Sequence, residues 1–200
     1  MILRRIFENV ENGFYVDVGA HHPKRFSNTF YFYKKGWSGI NIDAMPGSMS
    51  LFNKIRPRDI NIEAAVSNEK EEVIFYIFNE VALNTFDSKL VLERTNNDYY
   101  VVKKQKIVTK ELKEILWNIL PKNKKIHFMS IDVEGFDLKV VQSNNWELFR
   151  PEYLLVEHYG SNINEIQNSD LYKFIIGKNY ELYAKSVLTV FFKDKSNYLK

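Results

Sequence analysis

Short apolar runs alternate with helical patterns along this 200-residue chain, and that alternation is what most narrows its fold. Phe14-Tyr15-Val16-Asp17-Val18, Gly39-Ile40-Asn41-Ile42-Asp43 and residues 60–66 read as three buried strands. Helical stretches lie between them, over residues 27–35 with Gly36 as the stop, and from Pro46 to about Ile55. Residues 126–132 and 153–157 give two further strands, joined by a helix over 136–141. Strands spaced by helices imply a doubly wound, mostly parallel α/β sheet. A helix over 171–176 follows, and residues 180–184 with 187–192 form a C-terminal hairpin that adds an antiparallel edge. At the other end, Ile2, Leu3, Ile6, Phe7 and Val10 recur at helical spacing before the Asn12-Gly13 stop.

The middle is less regular. Residues 73–78 and 100–108 read as strands enclosing a polar loop, 79–98, which is expected to be mobile and to serve as a lid. Thr109 is expected to cap a helix running to Leu120, with Leu112, Ile115, Leu116 and Ile119 on one stripe. No repeat or Pro/Gly/Ser linker divides the chain, so one domain over 1–200 is expected, with an insertion at about 70–108.

Composition removes several chemistries. The chain has no cysteine, which excludes disulfides, iron–sulfur clusters, thiolate zinc sites and a cysteine nucleophile. Absent thiols suit a reducing compartment, and the first twelve residues lack the continuous apolar run of a signal peptide, so a cytoplasmic address is expected. The longest apolar stretches fall far short of the ~20 residues a membrane span needs. The net charge of +3 is unevenly spread: residues 103–125 carry eight lysines against Glu111 and Glu114, net +6, which leaves the rest weakly acidic. A solvated face is the plain reading of that stretch, and attraction of an anionic substrate is the functional one. Nucleic acid is not expected, because arginine is scarce there and no binding motif accompanies it.

In an open α/β sheet, ligands bind beyond the carboxyl ends of the strands, where the strand order switches. Asp17, Asp43, Asp132 and Glu157 all fall at strand ends. Carboxylates there are costly unless paired or serving a ligand. Asp17-Val18-Gly19-Ala20-His21-His22-Pro23 ends the first strand with a glycine that lets backbone approach a ligand. Asp43 comes 24 positions after Gly19, near the ~20-residue spacing at which an acid meets a ribose diol. Only one of the three glycines of a dinucleotide fingerprint is present, and Asp17 would repel a pyrophosphate. The pattern suits a nucleoside that carries positive charge, such as S-adenosylmethionine.

The stretch FYVDVGAHHPKRFSNTFYFYKKGWSGINIDAMPG, the NIEAAVS segment and MSIDVEGFDLKVVQ resemble, in order and spacing, the FkbM family of S-adenosylmethionine-dependent methyltransferases. The resemblance runs from about Phe7 to Tyr159 and departs at His21-His22-Pro23, where many relatives have asparagine and glycine. It implies a Rossmann-like class I methyltransferase fold with a seven-stranded sheet, and S-adenosylmethionine as cofactor. It further implies that Asp17, Gly19, Ala20 and His21, with Ser27, Asn28 and Thr29, border the methionyl part, and that Asp43 meets the ribose. Ala44, Met45, Ala65 and Val66 would flank the adenine, and Asp132 would face the cofactor amine or the reacting methyl. The implied acceptor is a hydroxyl of a sugar, glycan or other small metabolite.

An alcohol acceptor needs its proton removed. The candidate bases are Asp132, Glu134, Glu157, His158, His21 and His22. His158 is the first choice, because imidazole titrates near neutral pH and the residue follows a strand end, and Glu134 is the second. No metal is expected; if one bound, Asp132, Glu134 and His158 would be the ligands, since neighbouring His21 and His22 point apart. Phe30, Tyr31, Phe32, Tyr33 and Trp37 read as core, whereas Tyr99 and Tyr100 are candidate substrate contacts. A nicotinamide-dependent oxidoreductase and a cofactor-binding protein without activity remain as alternatives, and a homo-oligomer is open.

Overall fold

A computed structural model describes residues 2–160 and 162–196. Seven strands form one sheet in the order β3-β2-β1-β7-β8-β10-β9. They are β1 (Phe14–Val18), β2 (Ser38–Asp43), β3 (Ile60–Glu63), β7 (Phe128–Ile131), β8 (Tyr153–Glu157), β9 (Tyr180–Lys185) and β10 (Thr189–Asp194). The pairs from β3 through β8 are parallel, and β10 runs antiparallel to both β8 and β9. The seven-stranded, mostly parallel sheet with an antiparallel C-terminal hairpin is thus present. The order reverses between β1 and β7: from β1 the chain steps outward through β2 and β3, then returns to the other side of β1.

Period-two alternation divides the core. Phe14, Val16 and Val18 of β1 face a cluster with Ile40, Ile42, Met129 and Ile131. This cluster is covered by α5 (Leu112–Ile119), α6 (Asp137–Ser143) and α8 (Asp170–Gly177), which supply Leu112, Leu116, Val140, Val141 and Ile175. Tyr15 faces the other way, with Phe128, Tyr153 and Leu155. There α1 (Ile2–Ile6) and α2 (Phe30–Lys34) supply Leu3 and Phe32, and Phe7 and Trp37 pack beside them. The aromatic run after β1 is therefore core, as its buried Phe32, Tyr33 and Trp37 show.

The third apolar run behaves differently from a single strand. After β3 the chain peels away: Ala64 N still donates to Asp43 O at 2.9 Å, but Ala65–Val66 (β4) pairs with Thr109–Lys110 of another sheet. That sheet has the order β4-β6-β5, with β5 at Glu72–Phe78 and β6 at Val101–Lys110. Thr109 is therefore not a helix cap. It is a buried strand residue whose hydroxyl donates to Glu69 O at 2.7 Å and accepts from Glu71 N at 3.0 Å. The segment expected to be a mobile lid holds a 3-10 turn (Val81–Leu83) and α4 (Ser88–Arg94), capped by Glu80 and Asp87 side chains on the Ala82 and Lys89 amides. Its polar residues are caps, which is why composition alone made it look unstructured. The third helix of the chain, α3 (Ser48–Ile55), begins after a turn at Pro46-Gly47, and α7 (Ile163–Asn168), capped by Asn162, was not expected. Among the described residues no helix is long and apolar enough to cross a membrane.

Candidate functional site

A cavity of about 270 Å³ opens at the carboxyl ends of β1, β2 and β7, at the point where the strand order reverses. Asp17, Gly19, Ala20 and His21 line it after β1, Asp43, Ala44 and Met45 after β2, and Asp132, Val133 and Glu134 after β7. The excursion between β4 and α5 closes the opposite side with Phe75, Val81, Ala82, Asn84 and Phe86. Gly19 explains how these strand ends come so close. It has φ +81°, and a Cβ placed on it would lie 1.7 Å from Asp132 O, so no other residue fits between β1 and β7.

On the β1–β2 side each acid is held by donors of the fold. Asp17 Oδ2 accepts from Thr29 Oγ1 at 2.8 Å. Burial pushes its carboxyl up to about 6, against the pull of Arg56 and of the Thr29 hydroxyl. Asp43 accepts from His21 N at 2.7 Å and from Met45 N at 2.8 Å, and burial raises it too. Ser27 Oγ accepts from the Thr29 and Phe30 amides, which folds the turn that brings Asn28 to the cavity and to Ser130 Oγ at 3.1 Å. His21 stands at φ +53°, a left-handed conformation unusual for a side-chain-bearing residue, and its Nε2 is buried without a hydrogen-bond partner. His22 turns away and accepts from the Lys24 and Arg25 amides.

On the β7–β8 side the acids crowd together. Oxygens of Asp132, Glu134 and Glu157 all lie within 4.8 Å of one another. Burial, and then the negative charges of neighbouring acids including Glu134 and Asp137, raise both Asp132 and Glu157 well above the ordinary carboxylate range, so the pair retains a proton near neutrality. Glu157 Oε2 is buried with no partner. Glu134, at φ +54°, is held from the excursion: Arg94 forms an ion pair with it, and the Arg94 guanidinium also donates to Tyr159 Oη at 3.0 Å. Tyr159 Oη in turn donates to Glu134 at 2.9 Å. Asp137 fixes the turn by accepting from the Val133 and Gly135 amides, both at 3.2 Å.

Of the residues expected around a cofactor, all but Thr29 and Ala65 line this cavity. Thr29 stands behind Asp17, and Ala64 takes the place given to Ala65. Among the expected bases the correction is His158. Neighbours along an extended chain face opposite ways. Glu157 turns to the acid cluster, so His158 turns away: its Nδ1 accepts from Gly160 N at 2.9 Å, and Lys185 and Glu165 are its charged neighbours. It does not line the cavity, and the three-oxygen cluster that could hold a cation contains Glu157 in its place. Nor do Tyr99 and Tyr100 line the cavity. None of the eight lysines of the basic stretch does either, and Lys106, Lys113 and Lys125 are paired with Glu72, Glu111 and Glu152. Sequence reasoning missed Arg56 and Arg94; it expected the strands at 73–78 and 100–108 of the segment that roofs the cavity, but not the apolar lining that Phe75, Val81, Ala82 and Phe86 give it. The charged pair in Arg56-Pro57-Arg58-Asp59 was the only signal for Arg56.

The Methyltransferase FkbM domain model matches residues 17–184. The crystal structure of a methyltransferase FkbM from Methylobacillus flagellatus KT superposes with a TM-score of 0.53 at 11% identity, over 92% of this chain and 43% of that one. The chain thus spans less than half the length of that protein, and the likeness is one of fold. A TehB-like SAM-dependent methyltransferase from Corynebacterium glutamicum superposes with a TM-score of 0.46 at 7% identity, over 96% of this chain and 85% of that one. No curated protein matches the chain.

Proposed function

Because the chain belongs to the FkbM methyltransferase domain family, we propose that it transfers a methyl group to a hydroxyl of a sugar or other small metabolite. S-adenosylmethionine is the cofactor of this family. The observation that carries the proposal is the cavity at the strand-order reversal, where Asp17, Asp43 and Asp132 converge. The residues present fit the group: carboxylates suit its ammonium, sulfonium and ribose hydroxyls, while Ala20, Ala44 and Ala64 leave space for a flat base. A pyrophosphate would meet the same carboxylates as repulsion.

When bound, the cofactor supplies an electrophilic methyl on a sulfonium. The chain's own part is placement and proton handling. Asp17 takes the amino-acid end and Asp43 the ribose, each already fixed by Thr29 or by two backbone amides. Asp132 lines the cavity and takes the acceptor's proton, while Glu157 stands behind it and holds the proton that the pair shares. Arg94 and Tyr159 hold Glu134, which borders the acceptor's approach.

Thermal shift separates the readings. S-adenosylhomocysteine is expected to stabilise the protein and NAD to leave it unchanged, and Asp43→Ala is expected to abolish the effect. Stabilisation by NAD alone would overturn the methyltransferase reading. Mass spectrometry of a metabolite extract incubated with labelled S-adenosylmethionine identifies the acceptor.

A further inference from the structure

Behind Asp17 lies a polar core that the proposed chemistry does not use. Arg56 and Asp59 form an ion pair at 2.8 Å with both side chains 0% exposed. Asp59 is tied to the sheet, accepting from Gly39 N at 2.9 Å, Asn41 Nδ2 at 3.0 Å and the Tyr15 hydroxyl. The far side of the guanidinium faces the cavity wall. Arg56 Nη2 donates to Tyr15 Oη at 2.7 Å and to Thr29 Oγ1 at 2.9 Å, and Nη1 reaches Ser27 Oγ at 3.4 Å. Thr29 Oγ1 in turn donates a hydrogen bond to Asp17 Oδ2 at 2.8 Å. A chain of donors therefore runs from a sheet-anchored cation to the carboxylate on the cavity floor.

We propose that Arg56 is a positioning residue for the cofactor, keeping Asp17 ionised and aimed through Thr29. A buried ion pair seldom contributes more stability than apolar side chains of the same volume would, so its cost is left unexplained by folding alone. Its geometry supplies the reason. Asp43, Asp59 and Asp132 face Asp17 as like charges from β2, from the turn before β3 and from β7, and Arg56 is the cation set against them. Because Arg56 is fully buried, its charge is screened less than it would be in water. The turn formed by residues 27–29, which also carries Asn28 to the cavity, hangs on the same guanidinium.

The inference rests on the methyltransferase reading, and calorimetric titration of S-adenosylhomocysteine from pH 5.5 to 8.5 tests the two separately. In the unaltered protein, affinity is expected to fall as the pH drops through about 6, where Asp17 protonates. Thr29→Val cuts the relay and leaves the ion pair. Arg56→Gln with Asp59→Asn removes the charges together, so no uncompensated ion is buried. Both are expected to move the pH-dependent fall up by about one unit, which weakens binding about twofold at pH 7 and about fivefold at pH 6. Variant profiles that superimpose on that of the unaltered protein would make Arg56 a folding residue only and overturn the inference. If the double variant does not fold, Thr29→Val decides alone. Failure of the unaltered protein to bind at any pH would instead sink the methyltransferase reading, and this inference with it.

Discussion

Asp17 and Asp43, on the β1–β2 side of the cavity, meet donors that belong to the fold, whereas Asp132, Glu134 and Glu157, on the β7–β8 side, meet one another. Both sets stand at or just beyond strand ends, and both are at least half-buried. Their surroundings differ in what faces each acid: donors of the fold at Asp17 and Asp43, and other carboxylates around Asp132 and Glu157, with Glu134 held by Arg94 and Tyr159. A carboxylate with backbone amides or a relayed arginine beside it can stay charged and wait for a cation. Carboxylates that repel one another must share a proton, and a shared proton is one that can be given and taken back. On the proposed function, a single rim is divided into a binding half and a proton-handling half.

The sharpest way to break that division is a pair of isosteric changes. Asp132→Asn is expected to lower turnover roughly 100-fold or more while leaving S-adenosylhomocysteine affinity within about threefold. Asp17→Asn is expected to do the reverse, with affinity falling about tenfold and the pH profile of turnover at saturating cofactor unchanged. Equal losses of affinity in both variants would erase the distinction.

A smaller effect tests the crowding directly. Acids raised in the folded state stabilise it while protonated and lose that contribution as pH rises. Asp17 and Asp137, both raised to about 6, and the Asp132–Glu157 pair, raised higher still, all act in this direction. The four histidines are lowered, so their contribution is present above their ordinary value of 6.5 and is lost as pH falls below it. The melting midpoint of the cofactor-free protein is therefore expected to rise as pH drops from 8 to about 6.5, by about 2–4 °C per kcal/mol gained, and then to level off. Asp132→Asn should flatten that slope more than Asp43→Asn does.

How much of this could be read from the chain depends on how local the determining contacts are. The strand ends at Asp17, Asp43 and Asp132 are written in alternation and in single residues, so they were legible. Arg56 was not: it follows a short amphipathic helix beside Pro57, where an arginine normally reaches solvent, and only the closing of β1, β2 and the residue 27–29 turn around it makes it internal. His158 was misplaced by one step of the pleat. The two strands of the roof were legible, but its attachment was not, because Ala65 and Val66 look like the continuation of β3 and their true partners, Thr109 and Lys110, lie more than forty positions away.

The weakest expected effect concerns the seam between roof and floor. Arg25 forms a two-pronged contact with Glu80, at 3.2 and 3.0 Å, but Arg25 is half exposed. Arg25→Ala is expected to cost less than about 1 kcal/mol in urea unfolding.

The route by which the roof is attached has a consequence for how such a protein diversifies. The chain departs after Ala65–Val66 and returns through Thr109–Lys110, and these two points lie side by side as a parallel pair. Whatever is spliced between them is borne on a doorway of fixed width. Its length and lining can be rewritten without shifting the register of the seven-stranded sheet, much as a different shade fits the same lamp. The half of the cavity built by strand ends is then the inherited part. On the proposed function, the half built by Phe75, Asn84 and Phe86 is the part that would face the acceptor.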